Sequence, residues 1–188
     1  MRCSRRRITR SRLAGNFFMA RSVYLMLLSC LFFQTASKAD DEELKTKQFH
    51  VADAIEKTPV SKIKLFFYSL DPNAKTEFDG KLQEDTRKYF CGFKVLGRFE
   101  VVSFQEKTNL MESFTEGVRE GSRGMYCFEP RHGIRMVDGT TTNDFVICFE
   151  CHQVEAYGSF PESDFAMSSS PASTFNELLD KHKIKRAE

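Results

Sequence analysis

Three segments rich in β-forming residues in the C-terminal half constrain the fold more than any other feature. Residues 125–129 and 134–137 form the first two, and Asp138-Gly139 after them is a strong hairpin turn signal. The third segment, 144–157, contains the almost continuously apolar run Phe145–Phe149, which is typical of a strand covered on both faces. The pattern predicts an antiparallel β meander.

Two helices are predicted to cover this sheet. Residues 104–120 follow Ser103, and Glu106 lies three residues after that serine, so the two can form a capping box. A second helix is predicted over 172–182, where Ser170-Pro171 supplies an N-cap and a proline in the first helical position. The apolar residues at helical spacing in the first helix are Leu110, Met111, Phe114 and Val118.

The N-terminal half predicts further strands. Residues 62–70 begin with polar–apolar alternation and are rich in β-formers, and Asp71-Pro72-Asn73 has the chemistry of a closing turn. Residues 93–102 predict one or two strands with a bulge or turn at Gly97.

The other N-terminal segments have weaker patterns. Residues 40–47 are charged and are expected to form a mobile terminus, residues 51–55 a short helical turn, and residues 81–89 a short helix. No repeat or linker interrupts the chain. We therefore expect one α+β domain over 40–188, an antiparallel sheet with a C-terminal meander packed against two helices.

Residues 1–39 have the pattern of a secretory signal peptide. An acid-free basic leader precedes the 11-residue apolar run Val23–Phe33, and Ser37-Lys38-Ala39 places small residues before a predicted cleavage site. A start at Met19 would give a signal of more usual proportions. The expected location is the periplasm, the cell envelope or the extracellular medium.

Lipid attachment is an alternative to simple cleavage. Leu27-Leu28-Ser29-Cys30 resembles a lipoprotein cleavage box, which would put a lipid anchor on Cys30. The apolar run continues past this cysteine, which suits a lipid-modified terminus poorly. Because the run is short for a membrane span, no stable span is expected after cleavage.

Charge excludes a nucleic-acid partner recognised through a basic surface. Residues 1–39 hold 8 of the 28 Lys and Arg residues and none of the 26 Asp and Glu residues, so the rest of the chain has a net charge of −6. A phosphate backbone requires a positive protein face, and no basic stripe with interleaved aromatic residues occurs. The partner is not identified by composition.

The segment Cys148-Phe149-Glu150-Cys151-His152 has the C-x-x-C-H pattern of covalent haem attachment. In that interpretation Cys148 and Cys151 bind the vinyl groups and His152 is the proximal iron ligand. The same pair is a candidate redox site. However, residues three apart in a regular strand point to opposite faces, so both sulfurs would meet only if the strand broke or bulged.

A zinc site is a second interpretation. Cys127, His132, Cys148 and Cys151 have the spacing C-x4-H-x15-C-x2-C, close to that of a zinc ribbon. We expect neither zinc nor haem, and favour structural cysteines. A cross-strand disulfide from Cys127 to Cys148 or Cys151 would close a loop of about 20–25 residues and add roughly 2–4 kcal/mol. Buried free thiols are the other structural alternative.

A polar site is predicted where the chain turns between the first two segments of the meander. Glu129, Arg131 and His132 are close in sequence, and convergence of Arg131 and His132 with Glu129 or Asp138 in a cleft would support an enzyme. The alternative is a simple turn, with Arg131 in a surface ion pair that contributes little to stability.

Three segments together carry a resemblance to a family. They are 93–97 (FKVLG), 127–134 (CFEPRHGI) and 146–151 (VICFEC). This chain resembles small uncharacterised exported bacterial proteins with C-F-x-P-R-H-G and C-F-x-C segments, over roughly residues 60–157. The resemblance implies a bacterial exported protein with one compact domain and implies no catalytic residue.

These observations lead us to expect an exported binding or structural protein rather than an enzyme. The alternatives are a metal- or haem-binding protein that uses Cys148, Cys151 and His152, and an enzyme that uses the polar site at Arg131 and His132.

Overall fold

A seven-stranded antiparallel sheet lies at the centre of the residues that the computed structural model describes, 42–122, 124 and 127–187. Its spatial order is β2-β3-β1-β4-β5-β6-β7, so the last four strands form a meander. The strands are β1 (Lys64–Lys75), β2 (Tyr89–Phe90), β3 (Phe93–Glu100), β4 (His132–Asp138), β5 (Thr141–Cys148), β6 (Gln153–Gly158) and β7 (Asp164–Ala166).

The predicted hairpin of the meander is confirmed. Asp138 pairs with Thr141, and Gly139 in the turn between them has a φ of +57°, which glycine adopts without steric cost. The strand predicted over 125–129 is wrong, because the described residues 127–129 are irregular; Met125 and Tyr126 lie outside the described residues.

The single strand predicted over 144–157 is also wrong. The chain reverses at residues 149–152, where the N–H of His152 donates to the carbonyl of Phe149 over 3.3 Å. His152 has a φ of +56° and so adopts the left-handed conformation that usually needs glycine. Histidine is one of the non-glycine residues found there several times more often than average, which is why a turn forms without glycine or proline.

Strand β1 is longer than predicted, because Asp71-Pro72-Asn73 does not end it. The pairing of β1 with β3 shifts register between Asp71 and Lys75, and a proline within a strand is tolerated at such an irregularity. The bulge predicted in β3 is confirmed. Ser69 pairs with Gly97 and Leu70 with Val95, which leaves Leu96 as an extra residue.

In the described part of the chain, three helices accompany the sheet: α1 over residues 42–56, α2 (Phe104–Arg119) and α3 (Ala172–Lys181). Residues 51–55 are helical as predicted, but the helix begins at residue 42, so within the described residues it takes the place of the predicted mobile terminus. The apolar side of α1 is buried in the core. Ser103 caps α2 as predicted and accepts from the N–H of Glu106 over 3.4 Å. Pro171, rather than Ser170, is the N-cap of α3.

One face of the sheet packs against the helices and forms the main core. Strand residues alternate, so Leu65 and Phe67 of β1 point to this face while Phe66 and Tyr68 point to the other. The helical residues in this core are Val51, Ala52, Ile55, Leu110, Met111, Phe114, Val118, Phe175, Leu178 and Leu179.

The other face is covered by the irregular segment 76–88, where the sequence predicts a short helix over 81–89 that does not form. Tyr68 and Thr86 share a hydrogen bond of 2.9 Å, and Arg135 donates to the carbonyl of Gln83 over 2.8 Å. These contacts let a loop cover the sheet in place of a helix.

The predicted α+β class and antiparallel sheet are confirmed. Among the described residues, those from Leu44 onward belong to one compact unit. None of the helices in the described ranges is both long and apolar enough to cross a membrane.

Candidate functional site

A cavity of about 790 Å³ lies at one end of the sheet, where β1, β4, the turn 149–152 and α3 meet. Its wall is partly apolar, through Phe149, Ala172 and Leu179. The polar residues in its wall include Ser69, Arg131, His132, His152, Asn176 and Arg186. A concave surface with an apolar wall and a few converging polar groups is the usual form of a small-molecule site.

Strand register places Ser69 and His132 side by side. The two residues are cross-strand partners in the β1–β4 ladder. Ser69 follows Phe67 by two positions, so its side chain points to the face covered by helices. Both residues are buried, and His132 lies among the rings of Phe67, Phe149 and Phe175.

Each member of this pair has a buried polar atom with no hydrogen-bond partner among the described residues. The atoms are Oγ of Ser69 and Nδ1 of His132. Burying an unpaired polar atom costs about 1–3 kcal/mol, and most such atoms in folded proteins are paired. Because Ser69 and His132 are adjacent, these two unpaired atoms form one polar region in the wall of the cavity. A ligand bound there would supply the missing hydrogen bonds.

Asn176 determines which ring nitrogen of His132 carries the proton. Nε2 of His132 lies 3.1 Å from Oδ1 of Asn176, so Nε2 carries the proton and Nδ1 is a free acceptor. Burial lowers the pKa of His132 to about 4, although the hydrogen bond to Asn176 opposes this. His132 is therefore neutral near pH 7.

The charged residues around the cavity balance one another. Arg131 forms an ion pair of 2.8 Å with Glu150, and Arg186 lies 3.2 Å from Asp180. Glu129 also lines the cavity. Because the two arginines already have carboxylate partners, the site has no strong preference for an anion.

The three residues of the predicted polar site, Glu129, Arg131 and His132, all line the cavity. Asp138 does not join them, because it lies at the opposite end of β4. Sequence reasoning missed Ser69 and Asn176. Ser69 was predicted only as a strand position, and its alternation with Phe67 was the one signal that it shares the buried face.

The C-x-x-C segment forms a disulfide, between Cys148 and Cys151. The turn at 149–152 brings both sulfurs to one side, so the predicted opposition of the two side chains is wrong. The predicted bridge to Cys127 does not form either, although Sγ of Cys127 lies only 3.4 Å from Sγ of Cys151. While the disulfide is intact, neither sulfur is available for a haem thioether.

The predicted zinc ligands do not all converge. Cys127, Cys148 and Cys151 are close together, whereas His132 bonds to Asn176 and packs among phenylalanine rings. Within the described part of the chain, no group of three or more His, Cys, Asp and Glu residues is arranged to hold a metal ion. His152, the predicted proximal haem ligand, lines the cavity.

The predicted signal peptide and the lipid-anchor residue Cys30 lie outside the described residues. Comparison with protein-family models, curated proteins and solved structures finds no match to this chain. The resemblance carried by the C-F-x-P-R-H-G and C-F-x-C segments therefore stays a prediction.

Proposed function

We propose that this chain is an exported protein that binds a small neutral molecule in the cavity at the end of the sheet. One observation carries the proposal. The buried Oγ of Ser69 and Nδ1 of His132, adjacent in the β1–β4 ladder, both line the cavity and both lack a partner in the described part of the protein.

The two atoms have complementary chemistry. With Nε2 of His132 protonated toward Asn176, Nδ1 accepts a hydrogen bond, and the hydroxyl of Ser69 can donate one. A hydroxyl group is both donor and acceptor, so one ligand hydroxyl can satisfy both atoms. The ligand class that fits is a small alcohol or phenol.

The rest of the cavity favours an apolar ligand body without charge. Phe149 and Leu179 line the wall, and Arg131 already has Glu150 as its carboxylate partner. An anionic ligand would have to compete with that carboxylate. A neutral ligand would gain from apolar burial at about 25 cal/mol per Å².

Export is supported by two features. Residues 1–39 have the pattern of a cleavable signal, and the Cys148–Cys151 disulfide suits an oxidising compartment. A binding protein in that compartment would meet small hydroxylated compounds from the surroundings.

Binding can be tested with three matched probes: benzyl alcohol, toluene and benzoate. We expect benzyl alcohol to shift the amide NMR signals of His132 and Asn176, and to bind about fivefold more tightly than toluene, because it adds hydrogen bonds to otherwise unpaired atoms. Benzoate should bind more weakly than the alcohol.

Ser69→Ala and His132→Phe should remove the preference for the alcohol over toluene. The matched controls are Ser61→Ala and His50→Phe, which change exposed residues outside the cavity and should leave the preference intact. Equal binding of alcohol and toluene by the unaltered protein, or signal changes confined to another surface, would contradict the proposal.

An acyl-transfer enzyme is a second candidate, and one observation favours it. Ser69 and His132 are cross-strand partners, and Asn176 orients the imidazole through Nε2. Ser69 would be the nucleophile and His132 its base, once Oγ and Nδ1, which do not bond in this structure, approach each other. Incubation with p-nitrophenyl acetate distinguishes the candidates. An acetyl adduct on Ser69 that is lost in His132→Phe would support the enzyme, whereas hydrolysis at the buffer rate would leave only the binding function.

A further inference from the structure

Three sulfur atoms lie together beside the turn that joins β5 and β6. Cys148 and Cys151 form the disulfide, and Sγ of the free Cys127 lies 3.4 Å from Sγ of Cys151. This separation places the free sulfur in contact with one sulfur of the bridge. Thiol–disulfide exchange begins with such an approach, in which a thiolate attacks one sulfur of a disulfide.

The three cysteines differ sharply in accessibility. Cys148 and Cys151 are each 1% exposed, whereas Cys127 is exposed. A thiol or disulfide compound in solution can therefore reach Cys127 but has no direct access to the bridge. Any exchange between solution and the folded protein's buried pair has to pass through Cys127 or wait for the protein to open.

We propose that Cys127 is a relay thiol that passes disulfide bonds between low-molecular-weight disulfides and the buried pair Cys148–Cys151. Oxidation of the reduced pair begins when the thiolate of Cys127 attacks an external disulfide, forms a mixed disulfide and releases one thiol. Cys151 then attacks Cys127, which forms a Cys127–Cys151 bridge and releases the second thiol.

The last step transfers the bridge to its position in the structure. The thiolate of Cys148 attacks Cys151, the Cys148–Cys151 bond forms, and Cys127 leaves as a thiolate. The net reaction converts one external disulfide and two protein thiols into two external thiols and one protein disulfide. Each step exchanges one S–S bond for another, so atoms and electrons balance.

A backbone contact assists the reverse direction. The N–H of Cys151 donates to Sγ of Cys148 over 3.2 Å. A hydrogen bond to a sulfur favours its anionic form, and a better leaving thiolate departs faster. When Cys127 attacks Cys151, Cys148 is the leaving group, so this N–H stabilises the charge that develops there.

The test follows oxidation of the fully reduced protein by glutathione disulfide. At intervals, free thiols are alkylated and the bridges are mapped by mass spectrometry. In the unaltered protein we expect rapid formation of the Cys148–Cys151 bridge, with a glutathione adduct on Cys127 as an intermediate. In Cys127→Ser the bridge should form at least tenfold more slowly, because attack on the buried pair requires opening of the fold.

Cys91→Ala is the matched control, since Cys91 is the other free cysteine among the described residues and is buried under the second face. In Cys91→Ala the Cys148–Cys151 bridge should form at the same rate as in the unaltered protein. Oxidation of Cys127→Ser at the unaltered rate, with its fold verified by circular dichroism, would overturn the proposal.

A second variant tests the order of the steps. In the double variant Cys148→Ala with Cys151→Ala the adduct on Cys127 has no resolving thiol beside it, so Cys127–glutathione should accumulate. Its absence in this variant, while Cys127 remains open to alkylation, would also overturn the proposal.

Discussion

Arg135 and Asp144 form a doubly hydrogen-bonded ion pair across β4 and β5, buried under the segment 76–88. Nε of Arg135 donates to one carboxylate oxygen over 2.7 Å and Nη2 donates to the other over 2.6 Å. The side chains are 10% and 1% exposed. Burial raises the pKa of Asp144, and the hydrogen bonds from Arg135 oppose that increase.

Loss of the Asp144 charge should destabilise the fold strongly. Asp144→Asn leaves the charged guanidinium of Arg135 buried without a counterion, and this group cannot become neutral by losing a proton. Such an unpaired buried charge costs about 3–5 kcal/mol. Urea unfolding followed by circular dichroism measures the change. The double variant Arg135→Met with Asp144→Leu should recover most of the loss, because no charge is then buried.

Asp85→Asn is the matched control for this prediction, since the pair Asp85–Arg87 is also doubly hydrogen-bonded but lies in solvent. Its stability should change little. Equal effects of the two Asp→Asn variants would show that burial does not determine the contribution of Arg135 and Asp144.

Acidification should destabilise the protein through His132. Its pKa falls from 6.5 to about 4 on folding, because burial disfavours the charged ring. Between these values the unfolded chain binds more protons than the folded one, so the free energy of unfolding decreases as the pH falls from 6.5 to 4. The loss is about 3 kcal/mol and is complete below pH 4.

Urea unfolding at several pH values measures this effect. His132→Phe should remove the slope between pH 6.5 and 4, because the phenylalanine ring does not titrate. His182→Gln is the control, since His182 follows α3, lies 3.2 Å from Glu106 and is not among the neighbours of His132, so the His132 slope should stay in place. The same slope in His132→Phe as in the unaltered protein would contradict the assignment.

Replacement of Gly117 should be unfavourable even though it lies in a helix. Alanine in a helix interior normally gains about 1 kcal/mol over glycine. Here a Cβ would overlap the ring of Pro171 and lie 3.0 Å from Cε of Met167, so α3 would be pushed from α2. Overpacking typically costs about 1–3 kcal/mol, which exceeds the gain.

Thermal unfolding of Gly117→Ala should therefore show a lower Tm. Glu112→Ala on the exposed side of α2 is the control and should leave Tm nearly unchanged. A higher Tm for Gly117→Ala would show that Pro171 moves aside without cost.

Reduction of the disulfide should lower stability only modestly. Two residues separate Cys148 from Cys151, and closing so short a loop constrains the unfolded chain by about 2 kcal/mol. A Cys127–Cys151 bridge would contribute about 3.5 kcal/mol through its longer loop. Urea unfolding of Cys127→Ala with and without reductant measures the contribution of the Cys148–Cys151 bridge alone, because a Cys127–Cys151 bridge cannot form in this variant.

Local patterns in the sequence were sufficient for several caps, turns and bulges. The capping box at Ser103, the turn at Asp138-Gly139 and the irregularity at Gly97 each depend on residues within a few positions of one another. Only residues 51–55 of helix α1 were predicted as helical, because the apolar side of Val51, Ala52 and Ile55 is short and the residues before it are mostly polar. That apolar side stabilises the helix only when it is buried against strands that are distant in the sequence.

The cysteines show where a local argument failed. An apolar run before Cys148 favours a continuous strand, and no glycine or proline follows to break it. The pairing of Cys148 with Gln153 requires a reversal, and His152 provides it by adopting a positive φ. Pairing across the sheet therefore decided the turn, and the turn decided that the two sulfurs meet.

The sequence by itself determined the α+β class, the meander, the cap of α2 and the proximity of Glu129, Arg131 and His132, because these depend on short-range periodicity and turn chemistry. Only the tertiary structure placed Ser69 and Asn176 beside His132, which are 63 and 44 residues away along the chain. Strand register and helix docking create such neighbours, and both depend on how distant apolar surfaces are buried together.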